Sequence, residues 1–191
     1  MIREHLAEAI SWRRSLHRCP QPAWLEFFAT ALVAEKLTQW GYEVKQGREI
    51  IQEGRQLLLP DARTLEQEYN RALQAGAKPE FLEKAKGGFT GVVATLKGAI
   101  PGPVVAFRFD IDSNEVTETS DASHRPVKEG FCSENPGYGH MCGHDVHTAT
   151  GLLLAQYFAG MAATLKGTIK FIFQPNEENL NPSPKSRQNF G

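Results

Sequence analysis

The chain has 191 residues, of which 41% are hydrophobic and 23% are charged, which is enough for one globular domain with a buried core. Its 21 basic and 22 acidic residues leave a formal net charge of −1, and no basic cluster suggests binding to nucleic acid or to a membrane surface. Three cysteines without framework spacing argue against a disulfide scaffold. The charged N-terminus does not resemble a signal peptide and the apolar runs are short, so we expect a soluble cytoplasmic protein.

Two amphipathic helices are predicted at the start of the chain. The first should end before Pro20, and the second spans about residues 24–40 and stops at Gly41. A short strand is expected at 42–45. The face of the first helix that is predicted to be apolar consists of Ile2, Leu6, Ala9, Ile10, Arg13 and Leu16.

Residues 46–88 interrupt this pattern as a polar helical insertion. One helix is predicted at about 61–75 and a shorter one starts near Pro79, closed by the two glycines at 87–88. Because no strong apolar stripe is visible, the insertion is predicted to pack on the surface or to cap a pocket.

Apolar strands dominate the second half of the chain. Strands are predicted at 89–96 and 103–109, and the turn through 98–102 predicts that these two strands form a hairpin. After a long polar loop and a helix, residues 170–174 form a last buried strand. Helices that alternate with apolar strands predict an α/β fold, a three-layer α/β/α domain with a mixed sheet.

A cluster of potential metal ligands lies at 140–147, with the sequence HMCGHDVH. Cys142 and His144 can point the same way from an extended segment, and Gly143 between them lets the backbone turn. Asp145 is predicted to be a helix N-cap because apolar residues follow it at helical spacing.

A pair of adjacent carboxylates, Glu177 and Glu178, follows the last strand, at the end where open α/β sheets place their sites. Thiolate and imidazole groups bind zinc and similar ions, so Cys142 and His144 are the best ligand pair. Either glutamate could complete the site, and the other could act as general base.

Several polar residues near these clusters could orient the ligands from behind. Asp110 and Asp112 end a strand and could hold a ligand histidine, or could simply form the turn after the strand. Asp145 and His147 are further candidates for this orienting role. The remaining histidines are weaker candidates, or structural or exposed residues: His124 and His140, and His5 and His17.

With these motifs the chain resembles the metal-dependent amidohydrolases that cleave N-acyl amino acids, of the hippurate and indoleacetyl-amino-acid hydrolase type. The resemblance extends from about residue 10 to 178 and rests on RFDID at 108–112, on 140–147, and on GTIKFIFQPNEE at 167–178. It implies a metallopeptidase-like catalytic domain. It also implies homo- or hetero-oligomers for the full-length members.

Carried over to the matching positions, the resemblance makes Cys142, His144 and Glu178 ligands of a two-metal centre that usually contains Mn²⁺ or Zn²⁺. Glu177 becomes the general base. The implied substrate is a small N-acyl amino acid. Matches at 59–61, 88–91 and 123–126 favour p-aminobenzoyl-glutamate, a folate breakdown product, with indoleacetyl-aspartate as the alternative.

The sequence departs from the family after the glutamate pair. The lid and dimerisation domain and the later histidine ligands do not follow, and Asn176 replaces a small residue. Residues 179–191 do not resemble the family and are predicted to be a disordered tail. We therefore expect residues 1–178 to be the N-terminal part of a catalytic domain, truncated or frameshifted, and inactive alone.

Two other classes of function are compatible with the sequence. Cys142 could be a nucleophile with His144 or His147 as its base, and sensitivity to thiol alkylation rather than to chelators would indicate this. The chain could also be a non-catalytic remnant that binds another protein chain or a ligand, and bound metal without turnover would support that function.

Overall fold

A mixed four-stranded sheet and the helices that pack on it form the part of the chain that the structure, a computed structural model, describes, residues 2–178. The elements are α1 (Leu6–Arg18), α2 (Phe27–Gln39), β1 (Glu43–Gln46), α3 (Ala62–Gln74), α4 (Pro79–Leu82), β2 (Val92–Lys97), β3 (Ile100–Asp110), α5 (Arg125–Lys128), α6 (His144–Ala159) and β4 (Lys166–Gln174). Short 3-10 helices lie at Ile2–His5, Gly47–Glu49 and Glu83–Ala85.

The strand order is β1-β2-β4-β3, with β2 antiparallel and β3 parallel to β4. The predicted hairpin between β2 and β3 is therefore wrong, because β4 lies between them. Phe171 of β4 pairs with Ala94 on one side and with Phe107 on the other. At the turn, the backbone N–H of Gly98 bonds to Gly167 at the start of β4 instead of closing a hairpin.

The two N-terminal helices form close to their predicted positions. α1 ends before Pro20, and α2 begins three residues later than predicted, after a loop in which Trp24 has a φ of +63°. The predicted inner face of α1 is only partly buried: Leu6 and Ile10 remain 51% and 48% exposed. α1 packs against α6 instead of against the sheet, so a narrower stripe of it is covered.

Alternate residues of the strands face α2 and α6 and form the core. Phe171 is central, with its ring 5.6 Å from Phe107, 6.1 Å from Phe109 and 6.4 Å from Phe173 between centroids. On the opposite face Lys170 is exposed and Ile172 is half-buried. Within residues 2–178, helices thus cover one face of the sheet.

The insertion at 46–88 contributes to the core. Asp61 caps α3 by accepting a hydrogen bond from the backbone N–H of Thr64 at 2.8 Å. Ala72 of α3 and Leu82 of α4 are fully buried against α2. The expectation that the insertion lacks a core-facing stripe is therefore wrong, because small and scattered apolar residues suffice where α2 supplies most of the apolar surface.

The fold brings three segments to one edge of the sheet. β3 and β4 are parallel, and Asp110 pairs with Gln174 at their C-terminal ends. α6 begins at the same edge with His144, whose ring contacts Asp112 just beyond β3. No helix in residues 2–178 is long and apolar enough to cross a membrane.

Candidate metal centre

Three of the four predicted site residues meet at this edge. Nε2 of His144 lies 4.0 Å from Oε2 of Glu177 and 3.9 Å from Oε1 of Glu178. One ligand atom from each of these residues lies within 4.8 Å of the others. Ligand atoms held at about 2.0–2.2 Å from one cation are separated by up to roughly 4 Å, so this cluster fits a single divalent ion.

Cys142 lies beside this cluster on the exposed loop that precedes α6. The side-chain N–H of Asn114 bonds to its Sγ at 3.4 Å, and a hydrogen bond to Glu178 raises the pKa of the Cys142 thiol. The thiol thus contacts one carboxylate of the pair and faces outward. Cys142 is a further soft ligand at the margin of the three-residue cluster.

Asp112 orients His144. Nδ1 of His144 donates to the backbone oxygen and to Oδ1 of Asp112, both at 3.1 Å, which leaves Nε2 free to face the two glutamates. Burial lowers the pKa of His144, but the carboxylate of Asp112 outweighs it and the net shift is upward. Asp112 also accepts a hydrogen bond from the backbone N–H of Glu178 at 2.8 Å. One fully buried carboxylate therefore holds both ligand segments.

Asp110 and His147 contact each other instead of His144. The backbone N–H of Asp110 donates to Nδ1 of His147 at 3.1 Å, which places the imidazole proton on Nε2. The carboxylate of Asp110 is paired with Arg108 at 2.7 Å. Burial lowers the pKa of His147. Of the two aspartates, only Asp112 has the geometry to orient a ligand histidine.

The predicted N-cap role of Asp145 is wrong. Gly143 is the N-cap residue, with a φ of +81°, and α6 begins at His144. Asp145 is inside the first turn and 1% exposed, where it contacts His17 at 2.8 Å and Arg13 at 2.7 Å. Because the left-handed glycine turns the chain directly into the helix, Asp145 points at α1 and needs cationic partners there.

His17 belongs to this buried network, which the sequence did not reveal. Its Nε2 contacts Glu118 at 2.8 Å, and Glu118 also contacts His124 at 2.8 Å. His17 is 5% exposed, so of the two alternatives for this histidine the structural one is correct. Burial lowers the pKa of neighbouring His140 to about 4.

Two more residues near the site were missed from the sequence. Oδ1 of Asn114 accepts hydrogen bonds from the backbone N–H groups of Met141 and Cys142 at 3.0 and 3.1 Å, and so shapes the ligand loop. Glu26 is 0% exposed and bonds to the backbone of Asn176, next to the glutamate pair. Burial and then the charge of Asp112 raise the pKa of Glu26 to about 8. No local spacing signals either contact.

The same segments match a known family. Residues 106–186 match the model of peptidase family M20/M25/M40. The chain belongs to this M20 family. The resemblance to metal-dependent amidohydrolases that the motifs predicted is confirmed. The predicted tail, residues 179–191, lies outside the described part of the chain, and the family match ends within it.

Two M20 relatives cover almost all of this chain. It is 48% identical over 167 residues to one of the subunits of p-aminobenzoyl-glutamate hydrolase of Escherichia coli, covering 87% of this chain and 38% of that protein. It is 46% identical over 177 residues to indole-3-acetyl-aspartic acid hydrolase of Enterobacter agglomerans, covering 93% and 41%. The chain thus spans about two fifths of the length of these relatives.

Solved M20 structures share the fold. An aminobenzoyl-glutamate utilization protein from Klebsiella pneumoniae superposes with a TM-score of 0.74 at 37% identity, over 93% of this chain and 38% of that one. A dinuclear metal binding peptidase of the family from Bacillus subtilis gives 0.60 at 30% identity, over 90% and 35%. The predicted α/β metallopeptidase-like fold is confirmed.

Proposed function

We propose that this chain forms part of a metal-dependent hydrolase that cleaves the amide bond of N-acyl amino acids. The observation that supports this function most directly is the convergence of His144, Glu177 and Glu178, with Cys142 beside them, where β3 and β4 end. Imidazole, thiolate and carboxylate donors from separate segments are the set that zinc and manganese bind.

In this proposal Cys142, His144 and Glu178 hold the metal in a two-metal site. When bound, the divalent cation supplies Lewis-acid polarisation of the amide carbonyl. Glu177 is the general base: it takes a proton from the attacking water and returns it to the nitrogen of the leaving amine. Its side chain is 35% exposed, so water and substrate can reach the carboxylate.

A cysteine nucleophile is the less favourable alternative. Such a thiol needs a neighbouring base and a lowered pKa. Within residues 2–178, the hydrogen bonds of Sγ of Cys142 go to Asn114 and Glu178 instead of to an imidazole, and the pKa of the thiol is raised. A carboxylate beside the thiol opposes ionisation in the absence of a cation, whereas a cation would reverse this effect.

The substrate that we propose is p-aminobenzoyl-glutamate, because the relative at 48% identity is named for that compound, with indole-3-acetyl-aspartate as the alternative from the relative at 46%. The name of the first relative describes one of several subunits of its enzyme, which favours an assembly with a second chain. A cytoplasmic location remains a prediction.

Metal binding and hydrolysis together test the proposal. We expect the purified chain to bind Zn²⁺ or Mn²⁺ in equilibrium dialysis, and Cys142→Ala and Glu178→Gln to weaken binding while Cys132→Ala, which alters a cysteine outside the site, does not. Any hydrolysis of the two candidate substrates should be abolished by a chelator and by Glu177→Gln. Hydrolysis that survives chelation but not alkylation of Cys142 would contradict the metal mechanism. Bound metal without turnover would support the non-catalytic alternative.

A further inference from the structure

Glu26, in the loop before α2, is a fully buried carboxyl group without a cationic partner. It is 0% exposed, and in residues 2–178 it forms no ion pair with a lysine, arginine or histidine. Burial of an acidic group without a compensating charge is unfavourable, so such groups are frequently linked to function. The contacts of Glu26 lead to the metal centre.

Both oxygens of Glu26 are used. Oε1 accepts a hydrogen bond from the backbone N–H of Asn176 at 2.8 Å, and Oε2 bonds to the hydroxyl of Thr90 at 2.6 Å. Asn176 directly precedes the glutamate pair and has a φ of +57°, a left-handed conformation that is unfavourable for a residue other than glycine. Such a conformation persists only where neighbouring contacts enforce it.

The turn before the glutamates is also held by close packing. A Cβ atom at Gly91 would lie 2.8 Å from Cδ of Pro175, so only glycine allows the turn to approach β2 this closely. The N–H of Gly91 bonds to the hydroxyl of Thr30 at 2.8 Å. Gly91 and Thr90 are adjacent, so this segment both packs against the turn and anchors Glu26.

Two buried carboxyl groups thus flank Glu177 on the backbone. Glu26 holds the N–H of Asn176, and Asp112 holds the N–H of Glu178 at 2.8 Å. Asp112 also fixes His144. We propose that Glu26 is a positioning residue of the metal centre, which holds the turn at Asn176 so that the carboxylates of Glu177 and Glu178 face His144. This inference rests on the proposed metal-dependent function.

Two substitutions separate a positioning role from a general packing role. Glu26→Gln keeps an oxygen for the N–H of Asn176 and offers an N–H to Thr90, so metal affinity should match that of the wild type. This substitution is mild because the pKa of Glu26, raised by burial to about 8, favours the neutral acid at pH 7. Glu26→Met has a similar length but no acceptor, and it should weaken metal binding by about 10–100-fold.

The experiment uses Co²⁺ as the probe and the full 191-residue chain. Affinity is measured by competition with a chromophoric chelator, the ligand environment by the visible Co²⁺ spectrum, and folding by circular dichroism. Tyr42→Phe is the matched control, because it removes a buried hydrogen bond to Ala155, 2.9 Å long and away from the site. This control should lower stability without changing Co²⁺ affinity or spectrum.

Each outcome decides the inference. A folded Glu26→Met chain that binds Co²⁺ like the wild type would overturn it, and so would an equal loss in Glu26→Gln. If Glu26→Met does not fold, Thr90→Val decides: weaker Co²⁺ binding than in Tyr42→Phe supports the inference, and equal binding overturns it. A wild-type chain that binds no Co²⁺ would reject the proposed metal centre itself, and the inference with it.

Discussion

Asp112 connects the two segments that carry the candidate metal ligands. Its Oδ1 atom accepts from His144 and its Oδ2 atom from the backbone of Glu178, and the side chain is fully buried. Because both oxygens serve as acceptors, replacing one by an N–H group must disrupt one of the two bonds. Asp110, two residues earlier, has a similar position in the chain but contacts Arg108 and His147.

We expect Asp112→Asn to lower metal affinity by about 10–100-fold, the usual effect of losing a residue that orients a ligand. The amide keeps only one acceptor, so either His144 or the turn at Glu178 loses its anchor. Asp110→Asn is the matched control and should change the affinity much less. A competition titration with Zn²⁺ measures both variants, and an equal loss in the two would contradict the role assigned to Asp112.

At the level of elements, the contact of α6 with the sheet determines where the ligand loop lies. Gly151 is the point of closest approach: a Cβ atom there would be 2.7 Å from Cε1 of Phe173 and 2.8 Å from Cδ2 of Phe109. These phenylalanines lie at the ends of β4 and β3, next to the site. The glycine therefore lets α6 pack low enough for His144 to reach the strand ends.

Gly151→Ala should destabilise the chain by about 1–3 kcal/mol, because overpacking of two buried rings outweighs the gain in helix propensity of roughly 1 kcal/mol. Gly160→Ala is the control. Its nearest neighbour would be the carbonyl oxygen of Tyr157 at 3.5 Å, an ordinary contact, and its φ of −64° suits alanine. Urea denaturation measures both, and a Gly151→Ala chain as stable as Gly160→Ala would contradict the packing argument.

At the level of the whole molecule, a buried charge network joins α1, the long loop and α6. His17 of α1 lies between Asp145 of α6 and Glu118 of the loop, with Arg13 on Asp145. Burial lowers the pKa of His17, but the two carboxylates outweigh it and the net shift is upward from 6.5. The folded state therefore binds this proton more tightly than the unfolded state. The resulting stabilisation is complete below pH 6.5 and is lost as the pH rises through the folded-state pKa.

We expect the free energy of unfolding of the metal-free chain to fall more steeply between about pH 7 and 9 in the wild type than in His17→Gln. Neighbouring His140 does not interfere, since its pKa is lowered to about 4 and it is neutral in this range. Thr148→Val is the control, because it removes a buried hydrogen bond to Asp110 but no titrating group. Urea denaturation at several pH values measures the slopes. Identical slopes in wild type and His17→Gln would refute the linkage.

The sequence by itself determined the elements and the donor types of the site. Periodicity predicts α1, α2 and the buried strands because helix and strand patterns depend on neighbouring residues. The types and spacing of Cys142, His144 and the glutamate pair indicate metal chemistry for the same local reason.

Only the tertiary structure decided which strands pair, which way Asp145 points and what holds the ligands. β4 enters between β2 and β3 because its apolar residues pair on both sides, and a turn pattern at 98–102 cannot show this. Asn114 acts on Cys142 from 28 residues away, and Glu26 acts on Asn176 from 150. Such contacts depend on the packing of the whole domain, so no local pattern in the sequence encodes them.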